Sequence, residues 1–116
     1  MEGKKLEIME LSSCEKLILG CIYSYEQKTK KRPELKVLMQ WTSEKHGRNW
    51  KPQTVCTFIS RMEKKGLLKS EKVGRVSYYE PLIPYEAYIR MELEELCDVF
   101  FDGNKKKMKS FVRMNL

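Results

Sequence analysis

Apolar side chains recur at helical spacing in three successive segments between residues 11 and 66, which predicts three amphipathic helices. The first helix follows Ser12, which can form a capping box with Glu15 three residues later. Its buried face is predicted to comprise Leu17, Ile18, Cys21, Ile22 and Tyr25. The second helix begins after Pro33 and ends near His46-Gly47. Its buried face is predicted to comprise Leu35, Leu38, Met39 and Thr42.

The third segment, from Trp50 to Gly66, predicts a short helix with two unlike faces. Pro52 favours the first turn of a helix, and Gly66 after two lysines favours its end. Four apolar residues share one stripe, namely Val55, Phe58, Ile59 and Met62. The opposite face carries small polar groups near the start and cations further on, at Gln53, Thr54, Thr57, Ser60, Arg61 and Lys64. A face of this kind suits a helix that lies in the major groove of DNA.

After Gly66 the period changes from helical to extended. Segments 67–73 and 76–80 flank the turn Gly74-Arg75, which predicts a β-hairpin. Three helices followed by a hairpin constitute a winged helix-turn-helix domain, so the predicted fold is mainly α and Arg75 lies near the wing tip. Tyr78 and Tyr79 point to opposite faces of the second strand. One is expected in the core and the other near a phosphate, and the sequence leaves open which.

Residues 82–116 are predicted to form a C-terminal helical dimerisation region, behind a winged-helix DNA-binding domain at residues 1–81. Two aromatics in succession, Phe100-Phe101, are hard to bury in so small a domain. A partner surface is therefore favoured over a helix that folds back on its own domain. The residues expected at this surface are Tyr88, Ile89, Leu93, Leu96, Val99, Phe100 and Phe111.

Charge is distributed unevenly along this chain of net charge +7. Segment 51–75 has seven cations and two anions, whereas segment 76–103 has one cation and seven anions. This asymmetry is typical of a polyanion binder that keeps one region off the polyanion. Five cations are predicted to contact phosphates, namely Lys51, Arg61, Lys64, Lys72 and Arg75. Arg61 can also bridge helices. A basic loop before Pro33 can reach phosphates too, through Lys28, Lys30, Lys31 and Arg32.

Other classes of function find little support in the residues. The four cysteines, Cys14, Cys21, Cys56 and Cys97, are too scattered for a zinc site and are expected to be small, partly buried thiols. One histidine, no nucleophile elbow and no phosphate-binding glycine loop argue against an enzyme, a metal and a cofactor. No apolar run is long enough to span a membrane, and the polar residues 1–10, which we expect to fray, lack a signal peptide. We expect a cytoplasmic protein.

The chain resembles the penicillinase-repressor family of bacterial winged-helix regulators. The matching patterns are W-x-P-x-T-V-x-T-x-I-x-R-M-x-K-K-G-x-L over residues 50–68 and G-R-x-x-Y-Y-x-P-L over residues 74–82. The resemblance implies a homodimer that binds a palindromic operator, with the third helix in the major groove and the wing on the backbone. It places Gln53, Thr54, Cys56 and Thr57 at the groove-facing start of that helix. Arg61 and Lys64 then fall at phosphate or structural contacts, and Arg75 on the wing.

The resemblance does not identify an inducing signal. β-Lactam-responsive members are cleaved at an Asn-Phe bond, and the comparable position here reads Ser110-Phe111. Copper-responsive members end in a cysteine-rich motif, and no cysteine follows Cys97. The sequence therefore predicts a homodimeric repressor that binds double-stranded DNA. The alternative is a winged helix that binds an acidic protein partner and has no specific DNA target.

Overall fold

Residues 11–116, which the computed structural model describes, form five helices and one antiparallel hairpin. In chain order the elements are α1 (Ser13–Thr29), α2 (Leu35–His46), α3 (Pro52–Lys64), β1 (Leu68–Val73), β2 (Val76–Pro81), α4 (Tyr85–Phe100) and α5 (Lys105–Asn115). Three helices followed by a hairpin confirm the predicted winged helix. The chain divides into two compact units between Ile83 and Pro84. The expectation that residues 1–10 fray lies outside the described residues.

The core of the first unit forms around α1, which packs against α2, α3 and β2. The predicted positions Ile18, Cys21 and Ile22 are buried. Leu19 and Tyr23 are buried as well, because helices and the sheet cover α1 on more than one side. The Tyr23 hydroxyl donates a 2.7 Å hydrogen bond to the Ile83 carbonyl. Burial, followed by the nearby charge of Glu26, raises the pKa of Tyr23 to about 12, so this donor keeps its proton at neutral pH.

The helix ends follow the predicted signals. Ser12 and Glu15 form the capping box at the start of α1, each side chain bonding the other's backbone N–H at 3.1 Å. The segment after α3 turns at Gly66, whose φ of 77° lies in the left-handed region that favours glycine. This turn sends the chain directly into β1.

The wing is a hairpin whose root is buried and whose tip is exposed. Its register runs from Leu68 opposite Pro81 to Val73 opposite Val76. Tyr79 is buried on the core face, and Tyr78 lies on the outer face, which answers the question that the sequence left open. The segment before α2 pairs with the hairpin at one point, through an isolated β-bridge between Glu34 and Tyr78. The Tyr79 N–H donates to the Pro33 carbonyl at 3.0 Å in the same place.

The second unit consists of α4, a tight turn and α5. The Asn104 side chain caps α5 by accepting a 3.0 Å hydrogen bond from the Lys107 N–H. Phe101 and Phe111 pack with ring centroids 5.7 Å apart and hold the two helices of this unit together. Within residues 11–116, the longest helices are too short or too polar to cross a lipid bilayer.

A buried ion pair joins α1 to the end of α3. Glu15 is only 3% exposed, and its carboxylate accepts from the Lys65 ammonium at 3.3 Å. The same carboxylate closes the capping box with the Ser12 N–H. A buried carboxylate is stable only if its oxygens are paired, so Lys65 is the partner that makes this burial possible. The interaction connects residues 50 positions apart in the sequence.

Replacing Lys65 with methionine should therefore destabilise the first unit. Lys65→Met keeps the length of the side chain but leaves Glu15 buried without its cation. We expect the free energy of unfolding to fall by about 1–3 kcal/mol, less than for a fully buried pair because part of Lys65 is exposed. Urea unfolding followed by circular dichroism measures this. Lys64→Met is the matched control, since Lys64 is exposed and should shift stability by no more than about 0.5 kcal/mol. Equal effects of the two substitutions would contradict the role of the ion pair.

Candidate nucleic-acid interface

Helix α3 buries one narrow stripe and leaves the rest of its surface to solvent. Val55, Ile59 and Met62 are fully buried, and Phe58 is half-buried at the edge of the stripe. Burying each of these side chains contributes about 1.5–3 kcal/mol, which fixes the rotation of α3 about its own axis. The polar face must then point outward.

The residues predicted to read DNA lie on this outward face. Those that are exposed are Lys51, Gln53, Cys56, Thr57, Ser60, Arg61 and Lys64. Thr54 is half-buried, so it lies at the border between the two faces rather than at the centre of the exposed one. Cys56 departs from the expectation of a partly buried thiol, because its position on α3 leaves it exposed. Cys21 and Cys97 are buried and Cys14 is intermediate, as expected.

Two arginines flank aromatic rings at the start and on the side of α3. Trp50 packs on Phe58 with ring centroids 5.2 Å apart. The guanidinium of Arg48 lies 6.0 Å from the Trp50 ring, and that of Arg61 lies 6.0 Å from the Phe58 ring. Stacking on aromatic faces holds a guanidinium in place without using its N–H donors. Arg48 was not among the predicted contacts. The sequence does carry a signal for Arg48, which is its position two residues before Trp50 and just ahead of the polar face of α3.

The wing adds a second group of cations beside α3. Lys72 pairs with Ser77, on the same face of the hairpin as buried Tyr79, and Arg75 is exposed in the turn after Gly74. Burial raises the pKa of Tyr79, and the nearby Cys56 and Glu63 raise it further. The wing follows α3 directly, and β1 contacts this helix.

Ion pairs within the first unit neutralise some of its cations. Lys65 pairs with Glu15 at 3.3 Å, and Lys69 pairs with Glu80 at 3.2 Å. Both belong to the basic segment 51–75. The cations that remain there are the five predicted to contact phosphates, and none of these five forms an ion pair with another residue in the range 11–116. The positive electrostatic potential outside α3 is thus produced by these five unpaired cations on the helix and the wing.

Arg32, in the segment between α1 and α2, is engaged by the wing. It donates to Glu71 of β1 at 2.7 Å and stacks 5.5 Å from the Tyr78 ring. Lys28 lies over the Trp41 ring at 5.4 Å. Lys30 and Lys31 remain exposed.

The second unit exposes a long apolar stripe along α4. Of the residues predicted for a partner surface, six are exposed, namely Ile89, Leu93, Leu96, Val99, Phe100 and Phe111. Tyr88 is 6% exposed and therefore has little area to offer a partner. Tyr85 takes its place on the stripe, and Val112 and Met114 extend the apolar surface on α5.

No group of three or more His, Cys, Asp or Glu side chains is arranged to hold a metal ion in the part of the chain from residue 11 onward. The exposed face of α3 combines small polar side chains with the cations Arg61 and Lys64, and Glu63 is the acidic residue on this helix. The arrangement offers hydrogen-bond donors and acceptors on a helix, flanked by positive charge.

Comparison with known proteins gives the same classification. The model of the penicillinase repressor family matches residues 11–115. A curated relative, the penicillinase repressor of Bacillus licheniformis, is 36% identical over 59 residues, which cover 51% of this chain and 46% of the relative. The matched part thus spans about half the length of that relative. With nearly the whole of the described chain matched by the family model, this winged-helix protein belongs to the penicillinase repressor family, which comprises transcription regulators and not enzymes.

Proposed function

We propose that this protein is a homodimeric, sequence-specific transcriptional repressor that places α3 in the major groove of a palindromic operator. The observation that carries the proposal is the exposed polar face of α3, fixed outward by its buried stripe and followed directly by the wing. A major groove about 12 Å wide admits a helix of this size, and bound protein at a promoter excludes the transcription machinery. The name of the curated relative agrees with repression.

Base reading falls to the first turns of α3. The Gln53 amide is exposed and can pair with adenine N6 and N7. The Thr57 hydroxyl already donates a 2.9 Å hydrogen bond to the Gln53 carbonyl, so towards a base it can only accept. Its methyl group is an apolar surface suited to the thymine methyl. Cys56 and Ser60 complete the outward line of small side chains, which allow the helix backbone to approach the base edges closely.

Phosphate contacts are assigned to the cations around this line. Lys51 at the start of α3, with Arg61 and Lys64 further along, can contact one backbone, and Lys72 and Arg75 of the wing can contact the next groove edge. Such contacts set register and affinity without selecting sequence. They also release counterions, which makes the affinity depend on salt.

The apolar stripe of α4 is assigned to a second copy of the chain. Phe100 is 72% exposed and Val99 61%, and a soluble protein rarely leaves such a continuous stripe in water. A twofold axis through this stripe would present two α3 helices to two half-sites one helical turn, about 34–36 Å, apart or a multiple of it. A dimer with two α3 helices contacts twice as many base pairs as a single helix of this length.

Removing the two base-reading side chains should abolish discrimination between DNA sequences. In Gln53→Ala/Thr57→Ala the phosphate contacts remain, so we expect the affinity for operator to fall by about 1–3 kcal/mol per lost base contact, while the affinity for random duplex changes little. Gel-shift titration with operator DNA recovered from the genome measures both. Gln40→Ala on α2 is the matched control, since Gln40 is an exposed amide that bonds Glu44 and lies outside α3. Equal affinity of the wild-type protein for all duplexes would instead favour a module that binds an acidic protein.

Changing the wing cations should weaken binding to every sequence alike. Lys72→Gln/Arg75→Gln removes two phosphate contacts, so the slope of log affinity against log salt should become shallower by about 2, at roughly 0.9 per contact. Fluorescence anisotropy over a salt series measures the slope. Lys69→Gln is the control on the same strand, because Lys69 is engaged by Glu80 at 3.2 Å and should leave the slope close to wild type. An unchanged slope in the double variant would exclude these two residues from the interface.

A charge placed on the α4 stripe should separate the two subunits. Val99→Asp puts a carboxylate into an apolar seam, so we expect the dissociation constant of the dimer to rise about 100-fold or more. Sedimentation at micromolar concentration measures the mass. Val73→Asp is the matched control, since Val73 is 54% exposed on the wing and lies outside the stripe. A wild-type protein that sediments as a monomer, or a Val99→Asp protein that stays dimeric, would contradict the assignment.

A further inference from the structure

A groove lined by cations and two tyrosine rings lies on the outer face of the wing. It encloses about 590 Å³ between the end of α1, the start of α2 and β2. Among the residues that the structure describes, its lining includes four cations, a single carboxylate and two aromatic rings, at Lys30, Lys31, Arg32, Lys36, Glu34, Tyr25 and Tyr78. A second depression of about 430 Å³ shares three of these cations and extends towards Glu80.

This groove lies on the side of the wing that points away from the DNA-reading face. Tyr78 is directly paired with Glu71, and residues paired across a hairpin share a face. Tyr79, the next residue, is buried on the opposite face, towards the core, and no α3 residue is among those that line the groove. A molecule in the groove would therefore leave α3 uncovered, and any effect on DNA binding would have to pass through the wing.

Arg32 connects the groove to the wing. Its guanidinium donates to Glu71 of β1 at 2.7 Å and lies 3.9 Å from Glu80 of β2, so it holds both strands. The hydrogen bond to Glu71 raises the pKa of Arg32, which keeps the guanidinium charged. About a third of the Arg32 side chain and more than half of the Glu71 side chain are exposed, so a competing anion can reach this pair from solvent.

The surrounding charges favour an anion as that competitor. Lys30 and Lys31 are exposed and form no ion pair with another residue in the range 11–116. Lys36 lies 3.4 Å from Glu34 and is itself largely exposed. The Tyr25 and Tyr78 rings also line the groove, and the guanidinium of Arg32 lies 5.5 Å from the Tyr78 ring. An aromatic ligand that draws Arg32 away could stack on Tyr78 in its place. Because arginine binds phosphate and carboxylate with a planar fork of donors, an anion in the groove would compete with Glu71 for Arg32.

We propose that this groove is a binding site for a small aromatic anion, a phosphate or carboxylate, which takes Arg32 from Glu71 and Glu80 and thereby loosens the wing. The regulatory part rests on the proposed repressor function, whereas the binding itself does not. A ligand shifts the position of the wing only by as much as it prefers the released state over the held one. Since the displaced ion pair is partly exposed, the effect on operator affinity is modest, about fivefold at saturation, at the lower end of allosteric coupling factors.

Titration of the DNA-free protein with phenyl phosphate tests the binding. Amide chemical shifts at Arg32, Tyr78 and their neighbours should saturate with a dissociation constant no weaker than about 1–5 mM, a value appropriate to a small open site. Lys31→Gln/Lys36→Gln should bind at least about fivefold more weakly. Lys28→Gln/Lys45→Gln is the matched control, because both lysines lie over Trp41, at 5.4 and 4.0 Å, and neither lines the groove. Shifts that do not saturate by about 10 mM, or that map to α3, would overturn the proposal.

A second variant tests the competition for Arg32 by changing a residue that does not line the groove. Glu71→Gln removes the competing carboxylate, so phenyl phosphate should bind about threefold more tightly than to the wild-type protein. Glu44→Gln, an equal change of charge at an exposed position on α2, should have a smaller effect. Equal affinities in these two variants would overturn the link to the wing.

The binding site and the repressor function can fail separately. If the protein binds phenyl phosphate but binds no DNA selectively, the proposed repressor function is wrong and the binding site stands. If the protein binds DNA selectively but does not bind phenyl phosphate, the binding site is wrong and the repressor function stands.

Discussion

The orientation of α3 is the constraint on which the proposed DNA-binding surface depends. Three fully buried side chains, Val55, Ile59 and Met62, hold this helix against the core, and they lie within a stripe only two turns long. A rotation of the helix by one residue position would bury polar groups and expose the stripe, and each exchange costs several kcal/mol. The polar face is therefore exposed as a consequence of packing. The packing of α3 is therefore enough to orient its polar side chains towards solvent.

Ion pairs determine which of the many cations belong to that surface. The sequence contains 23 lysines and arginines, and their number alone says little about where DNA would lie. Lys65 and Lys69 are neutralised by Glu15 and Glu80, and Arg32 is shared between two carboxylates of the wing. Each of these pairs stabilises the first unit and at the same time takes a positive charge away from the surface. Within segment 51–75, five of the seven cations remain, and these lie on or next to α3 and on the wing.

Much of the fold was predictable because its signals are local. The spacing of apolar residues predicted the helices, and Gly66 and Gly74 marked the turns, since such signals act over a few residues. The pairs Glu15–Lys65 and Arg32–Glu71 join residues 50 and 39 positions apart and depend on how elements pack, which periodicity does not encode. The burial of Tyr88 was not predicted for a related reason. A helical stripe has borders, and the sequence does not say which border residue faces inward.

The wing is attached to the core by buried apolar contacts at its root and by partly exposed polar contacts on its outer face. At its root, Leu67 and Leu68 are buried, and the Leu82 N–H donates to the Leu67 carbonyl at 2.8 Å, so this end moves only if the core opens. Further out, the contacts that hold the outer face are polar and partly exposed, through Arg32. Buried apolar contacts resist small molecules, whereas exposed charged contacts exchange with dissolved ions. With the wing attached in this way, its outer contacts can exchange while the core and α3 keep their structure, because the exposed polar contacts contribute little to folding.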